Sequence, residues 1–422
     1  MLAVQIWKRK LRGVVSLTGE KINQILADTA YVKTAGTEAE LRCAKYLQQK
    51  CAELGLESRL ESFPVGYADV HEEVLVADGR QIPCKAYLCC GDTDIEAPLY
   101  HLTNTEPQSF RQCRGKIVLC DMRVDRWVYQ DLIEHGALGY ITFCGEINNS
   151  DWEIDCRWLR DKISRGKLLP GVIIHVKDAV RMIRENTTRV SMRIRQTAQK
   201  LDSHNVIVDL PGEYDEWIIL SAHYDTVSRS VGSYDNMSGC IGLLGIMENF
   251  INRPHRYGLR FIFCGAEELG LLGSLAYCEA HRDEVNNFVL NINLDLIGSA
   301  MGTLVADCTA EDRLVHYLQY MAGETGFDVM PKAGVHSSDS SSFADKGVPS
   351  VTFARQAPKG AATIHDCYDT AELLHAGQII SDIEFLTQFT MRMASAVHCP
   401  IKREIPEHLR EGVEILLEKK RK

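Results

Sequence analysis

Four short runs constrain this chain more than anything else in it: WIILSA (217–222), LRFIFC (259–264), FVLNINL (288–294) and VPSVTFA (348–354). Each is too short for a buried helix and is rich in β-branched and aromatic residues, so each reads as a strand. They are nearly continuous in apolar character rather than alternating, so both faces of each strand must be covered. Helical stretches such as SGCIGLLGIMENFI (238–251) lie between them. Apolar strands interleaved with helices predict an α/β fold, a mostly parallel mixed sheet sandwiched by helices.

The chain has 422 residues, enough for two or three domains with their own cores. Near the N-terminus, TEAELRCAKYLQQKCAEL (37–54) predicts a helix. Thr37 and Glu40 are spaced as a capping box, Leu41, Ala44, Leu47, Cys51 and Leu54 follow helical spacing, and Gly55 stops the pattern. A strand, LESRLESF (56–63), is expected next. From about 67 to 199 the texture changes. KIVLCDM (116–122) reads as a strand, DLIEHGALGYITFC (131–144) as helix, glycine turn and strand, and LPGVIIHVKDAVRMI (169–183) as strand then helix. This is a small α/β unit of its own, with no acid–histidine grouping at ligand spacing. The division expected is therefore 1–66 with 200–422 as one domain and 67–199 as an insert. The tail, IKREIPEHLREGVEILLEKKRK (401–422), predicts a charged amphipathic helix, either solvated or a homo-oligomer contact.

Composition narrows the function classes. A net charge of −10 argues against nucleic acid as a partner, because phosphate binding needs a basic face. No apolar run approaches the roughly 18 residues that span a membrane. The N-terminal charges follow a very short apolar start, the reverse of an export signal, and the basic stretch Lys8 to Arg12 reads as a solvated helix face. The 15 cysteines include no CxxC pair, so reduced thiols in a cytoplasmic protein are expected rather than a disulfide framework.

The residues beyond the end of each apolar run carry the chemistry. His223 comes directly after WIILSA, Glu267 and Glu268 come shortly after LRFIFC, Asp295 comes directly after FVLNINL, and His365 lies beyond VPSVTFA. Ligands of open α/β sheets bind outside the carboxyl ends of the strands. Polar groups at several strand ends therefore converge on one edge. Histidines and carboxylates without cysteine suit zinc or a similar divalent ion, with cobalt and manganese also acceptable. Five candidates, His223, Asp235, Glu268, Asp295 and His365, are too many for one tetrahedral ion with an open position. They suit two divalent metal ions, each with one histidine and one carboxylate and sharing a bridging aspartate. Asp225 fits as the carboxylate that orients the His223 ring. Glu267 fits as the general acid/base, taking a proton from the attacking water and passing it to the leaving amine. Taken singly each piece is commonplace; their order along the chain is not.

These motifs resemble the di-zinc exopeptidases related to bacterial leucine aminopeptidases and glutamate carboxypeptidase. HYD (223–225), DNxSG (235–239), AEELGLLGS (266–274), NLD (293–295) and IHxxxDT (364–370) keep that family's motif order, and YVKTAGTEAE (31–40) is similar to its N-terminal segment. The resemblance implies that His223, Asp235, Glu268, Asp295 and His365 are metal ligands with Asp235 bridging, that Glu267 is the acid/base, and that a cis peptide joins Asp235 and Asn236. It also implies that the insert is a protease-associated domain affecting substrate access. There are departures. Ser340, in HSSDSSSF (336–343), stands where many relatives carry a histidine, which bears on substrate contacts. Ile364 stands where some carry a tyrosine that helps the oxyanion, with Tyr368 as the substitute.

The function expected is a metal-dependent aminopeptidase acting on peptides, whose acidic site holds the substrate's α-ammonium. A carboxypeptidase or dipeptidase on the same core needs a cation for the substrate carboxylate, and Arg355 is the candidate. A glutaminyl cyclase-like transferase would use one zinc, and a non-catalytic binding protein would have lost ligands.

Overall fold

The computed structural model describes residues 17–149 and 152–421, so the basic stretch Lys8 to Arg12 lies outside the described residues. The chain separates into two compact units. One comprises residues 17–63 with Asp202–Lys420, and the other is built on Pro64–Leu201.

The larger unit begins with helices α1 (Gly19–Asp28) and α2 (Glu38–Glu53). It continues with β1 (Arg189–Leu210, joining from Val206), β2 (Trp217–His223), α3 (Ser238–Phe250), β3 (Gly258–Cys264), α4 (Leu272–Ala280) and β4 (Phe288–Leu294). After these come β5 (Thr303–Thr309), α5 (Asp312–Thr325), β6 (Val329–Ala333), α6 (Ser340–Asp345), β7 (Ser350–Gln356), α7 (Ala376–Ala394) and α8 (Glu407–Leu416). Across the sheet the order is β6-β5-β7-β4-β2-β3-β1. The central strands β7, β4, β2 and β3 are mutually parallel. The flanks are not: β5 opposes β7 and β1 opposes β3, while β6 runs parallel to β5. The strand read from VPSVTFA starts later than expected, at Ser350, because Pro349 has no N–H for the ladder.

Both faces of the central strands are covered, which is why their sequences do not alternate. Ile218, Leu220, Phe261, Phe263, Leu290 and Ile292 pack on one side in a core shared with α3 and α7. Ile207, Ile219, Ile262 and Phe288 pack on the other with Tyr277 and Phe343. The strand ends are level: His223 lies opposite Cys264, Ser221 opposite Asn293, and Leu294 opposite Phe353. A parallel, level register brings the residues after each strand to one edge.

Helix α2 begins at Thr37, whose Oγ1 accepts from the Glu40 amide at 3.3 Å. The expected capping box is only half formed, because the Glu40 carboxyl accepts from the Gly36 amide instead of returning to Thr37. Gly55, with φ 77°, ends the helix in a left-handed turn. The C-terminal helix is shorter than the sequence suggested. Its Leu409 and Val413 pack with Leu271, Ala344, Ile405 and Leu417, so the apolar face is used within the chain.

In the smaller unit, parallel strands Thr93–Leu102, Ile117–Cys120, Gly139–Cys144 and Gly171–His175 carry helices Arg126–Glu134 and Val176–Arg184. Its core includes Val118, Tyr129, Tyr140, Ile141, Val172 and Met182. All 15 cysteines are free thiols. Among the described residues no helix is long and apolar enough to cross a membrane.

Candidate metal centre

His223 is the last residue of β2, and Asp295 comes directly after the end of β4. Glu267 and Glu268 lie in the turn between β3 and α4. Asp235 sits in a buried turn, Ser233–Met237, that leads into α3. His365 is not at a strand end. It stands on the loop after β7, nine residues beyond Gln356, with φ 62°. The peptide between Asp235 and Asn236 is cis.

These residues gather as two overlapping groups. His223, Asp235 and Asp295 offer ligand atoms within 4.8 Å of one another, and so do Asp235, Glu268 and His365. Asp235 belongs to both. Its Oδ1 lies 3.1 Å from His223 Nε2 and its Oδ2 lies 3.1 Å from His365 Nε2. Glu268 Oε2 is 3.1 Å from His365 Nε2, and Asp295 Oδ1 is 3.8 Å from His223 Nε2. Two atoms bound tetrahedrally at typical zinc distances stand about 3.4 Å apart. The observed separations bracket that value, and the donor set fits a pair of divalent ions. Glu267 is not in either group but stands close by, its Oε2 4.0 Å from His223 Nε2.

Three buried side chains hold the turns that carry these groups. Asp225 accepts from the backbone amides of both Glu267, at 2.9 Å, and Glu268, at 3.1 Å. Its Oδ1 is also 3.5 Å from His223 Nδ1. Asp369 does for Asp235 what Asp225 does for the glutamates: it accepts from the amides of Tyr234, at 2.7 Å, and Asp235, at 3.1 Å. Asn236 brackets Asp295. Its Nδ2 donates to the Leu294 carbonyl at 2.8 Å and its Oδ1 accepts from the Leu296 amide at 3.1 Å. Gly239 must be glycine here, since a Cβ would stand 2.5 Å from both Asn236 Oδ1 and the Leu294 carbonyl. Sequence reasoning gave Asp369 and Asn236 no role, although both lie inside quoted motifs.

Left-handed backbone collects at the same place. Ala266 precedes Glu267, Leu296 succeeds Asp295, and His365 is itself a ligand candidate; all have φ between 52° and 63°. Non-glycine residues in that region are strained by roughly 1–3 kcal/mol each and persist where the surroundings enforce them.

The electrostatics match a site built for cations. Burial disfavours a charged His223, yet Glu267 and the contacts to Asp225, Asp235 and Asp295 raise its pKa well above the usual value. Burial also opposes charge on His365, but Asp235 and Glu268 push it up to about 11. Burial and the Asp235 charge raise Glu268 to about 7. Burial raises Glu267 well above the carboxylate range; His223 pulls it down, and Glu268, Asp339 and Asp295 push it further up. A divalent ion bound there would take the place that a proton otherwise holds between the imidazoles and the acids.

The remaining expectations divide. Arg355 is not available to a substrate. Buried, it pairs with Asp382 through Nε at 3.0 Å and through Nη2, and Nη1 donates to the Gly302 carbonyl at 2.6 Å. Ser340 is buried and bonded to Ser338 and Thr352, closing the polar side of α6. Tyr368 is exposed, as is Ile364.

The family model described as Peptidase family M28 matches residues 205–386. Aminopeptidase YwaD of Bacillus subtilis (strain 168) is 26% identical over 400 residues, covering 90% of this chain and 83% of that protein. Probable leucine aminopeptidase 2 of Trichophyton verrucosum is 30% identical over 186 residues, covering 41% of this chain and 38% of its own. Among solved structures, the aminopeptidase of Aneurinibacillus sp. strain AM-1 superposes with TM-score 0.76 at 20% identity, covering 92% of this chain and 97% of that one. BSAP, a zinc aminopeptidase from Bacillus subtilis, superposes with TM-score 0.76 at 22% identity, covering 92% and 99%. The chain is a hydrolase on this shared mixed α/β fold, and the stretch that the Peptidase family M28 model matches, 205–386, holds every member of both ligand groups.

Proposed function

We propose that the chain is a metal-dependent aminopeptidase that hydrolyses the N-terminal peptide bond with two divalent ions, zinc first among them. The observation that carries this reading is the placement of Asp235, one oxygen 3.1 Å from each of two imidazoles. His223, Asp235 and Asp295 would hold one ion; Asp235, Glu268 and His365 would hold the other. Bound there, the ions supply an activated water and polarise the scissile carbonyl. Glu267 takes the proton from the attacking water and delivers it to the leaving amine. Asp225 keeps Glu267 and Glu268 in place through their amides.

The acid-rich site favours a substrate with a free α-ammonium. The carboxypeptidase and dipeptidase readings lose their candidate cation, because Arg355 is bound to Asp382. The paired ligand groups argue against a one-zinc cyclase, and the presence of all five candidate ligands argues against a non-catalytic binding protein. In this proposal residues 67–199 act as a protease-associated domain governing substrate access. Fifteen free thiols support a reducing, cytoplasmic setting.

The test is hydrolysis of aminoacyl anilides against N-blocked dipeptides, with and without chelator, on protein whose ion content has been counted. Hydrolysis of the anilides alone, abolished by chelator and restored by zinc, is the expected result. Cleavage of blocked peptides alone would overturn the aminopeptidase assignment.

A further inference from the structure

Two buried charged residues outside 205–386 have been given no part in the chemistry. Lys33 and Glu40 are both fully buried; Lys33 lies in the loop between α1 and α2, and Glu40 in the first turn of α2.

Lys33 grips the loop between His223 and Asp235 at both ends. Its amide donates to Thr226 Oγ1 at 2.9 Å, and its carbonyl accepts from the Thr226 amide at 3.2 Å. Its Nζ donates to the Val231 carbonyl at 2.5 Å, and also to the carbonyls of Thr29 and Tyr31 at 3.1 and 3.0 Å. Burial lowers the pKa of this amine, while the charges of Asp369 and Asp225, among others, act to raise it. These are the two carboxylates that hold the turns of Asp235 and of the glutamates. A dehydrated ammonium on carbonyl oxygens is a costly way to fasten a loop. It is less so where acids nearby offset the charge.

Glu40 occupies the matching position at the other turn. Its Oε1 accepts from Ser203 Oγ at 2.5 Å and its Oε2 from the Gly36 amide at 2.7 Å. The nearby Ala266 amide acts to lower the pKa of this carboxyl. A Cβ on Gly265 would stand 2.8 Å from Oε1, so the Gly265–Ala266 backbone lies directly against it. That backbone carries Glu267 and Glu268. Burial, and after it the Asp225 charge, pushes Glu40 up to about 8.

We infer that Lys33 and Glu40 are positioning residues of the ion pair: one short segment, far from the ligands in sequence, fixes both turns on which His223, Asp235, Glu267 and Glu268 are carried. The inference rests on the two-ion reading above.

The test uses the full chain and reads ion affinity rather than turnover. Zinc is titrated against a chromophoric chelator, with the ion count and thermal unfolding measured on the same samples. The unsubstituted protein should bind two ions. Glu40→Gln keeps the shape of the side chain and one of its acceptors and should lose less affinity than Glu40→Ala, which should weaken the more weakly held ion about 10- to 100-fold. Lys33→Met should do the same. If Lys33→Met does not fold, the two Glu40 variants decide the matter alone. Unchanged affinity in Glu40→Ala would overturn the inference, and so would equal losses in Glu40→Gln and Glu40→Ala. Absence of zinc binding by the unsubstituted protein would instead bring down the two-ion reading, and the inference with it.

Discussion

The two halves of the proposed ion site are built differently. In the His223 half, the imidazole is 3% exposed and Asp295 is 7% exposed, and both groups sit at level strand ends. In the other half, His365 is 51% exposed and stands on a loop in a left-handed conformation. One half inherits its geometry from the sheet; the other is closed by a side chain brought in late in the chain. The contrast teaches that affinity and access can be divided between two ions that share one carboxylate. The His223 half should hold its ion more tightly, and the His365 half should meet the substrate.

The largest effect expected breaks the chemistry without breaking either half. Glu267→Gln should lower kcat by about 10²- to 10⁴-fold while the ion count stays at two. Loss of an ion in this variant would make Glu267 a ligand instead of a base, and direct ion analysis decides. Next, the halves should respond unequally to removal of their histidines. His223→Ala opens a hole at a buried strand end and should lower Tm as well as ion content. His365→Ala should lose about one ion with little change in apo-protein Tm, because its ring is half in solvent. Equal destabilisation would end the distinction between a sheet-built half and a loop-built half.

Protons sharpen the comparison further. In the ion-free protein, His365 holds a proton up to about pH 11 and Glu268 up to about pH 7. Both values lie above those of the unfolded chain. Their contribution to apo stability, small for the half-exposed His365 because water screens its partners, is therefore complete below the unfolded values and lost as pH rises through about 7 for Glu268 and about 11 for His365. Ions displace these protons, so affinity at the His365 half should rise with pH, with protons released on binding. Calorimetry in buffers of different ionisation enthalpy reads that release, and an unchanged apparent enthalpy would contradict it. The smallest effect concerns Tyr368. Being exposed, it competes with water for any oxyanion, and Tyr368→Phe should lower kcat by less than about threefold, against the 10²- to 10³-fold typical of a buried donor. A hundredfold loss in stopped or continuous anilide assays would move transition-state stabilisation to the exposed rim.

Much of this was legible in the order of residues. The central strands could be read because burial on both faces removes alternation, and the ligand candidates because each comes after such a strand or lies in the loop beyond it. The flanks were harder. Strand β5, TLVADCT, and the edge strand β6, VMPKA, mix polar and apolar residues and carry no comparable signal. Residues whose purpose is a distant hydrogen bond were hidden altogether. Nothing near Asp369 in sequence shows that it receives the amides of Tyr234 and Asp235, and nothing near Lys33 shows that it meets Val231. Glu40 was read as part of a cap because its spacing fits one, but burial beneath Gly265 drew its carboxyl elsewhere. Arg355 was read as a surface or substrate cation, and only the fold reveals Asp382 beside it.

Asn236 also ties the two candidate ligand aspartates together, since it is the neighbour of Asp235 and clasps the backbone on either side of Asp295. In the two-ion proposal a cation of larger radius, such as calcium with its oxygen contacts of about 2.3–2.6 Å, would not widen one compartment without dragging on the other. The amide would then act as a gauge, setting ionic size from a side chain outside both ligand groups.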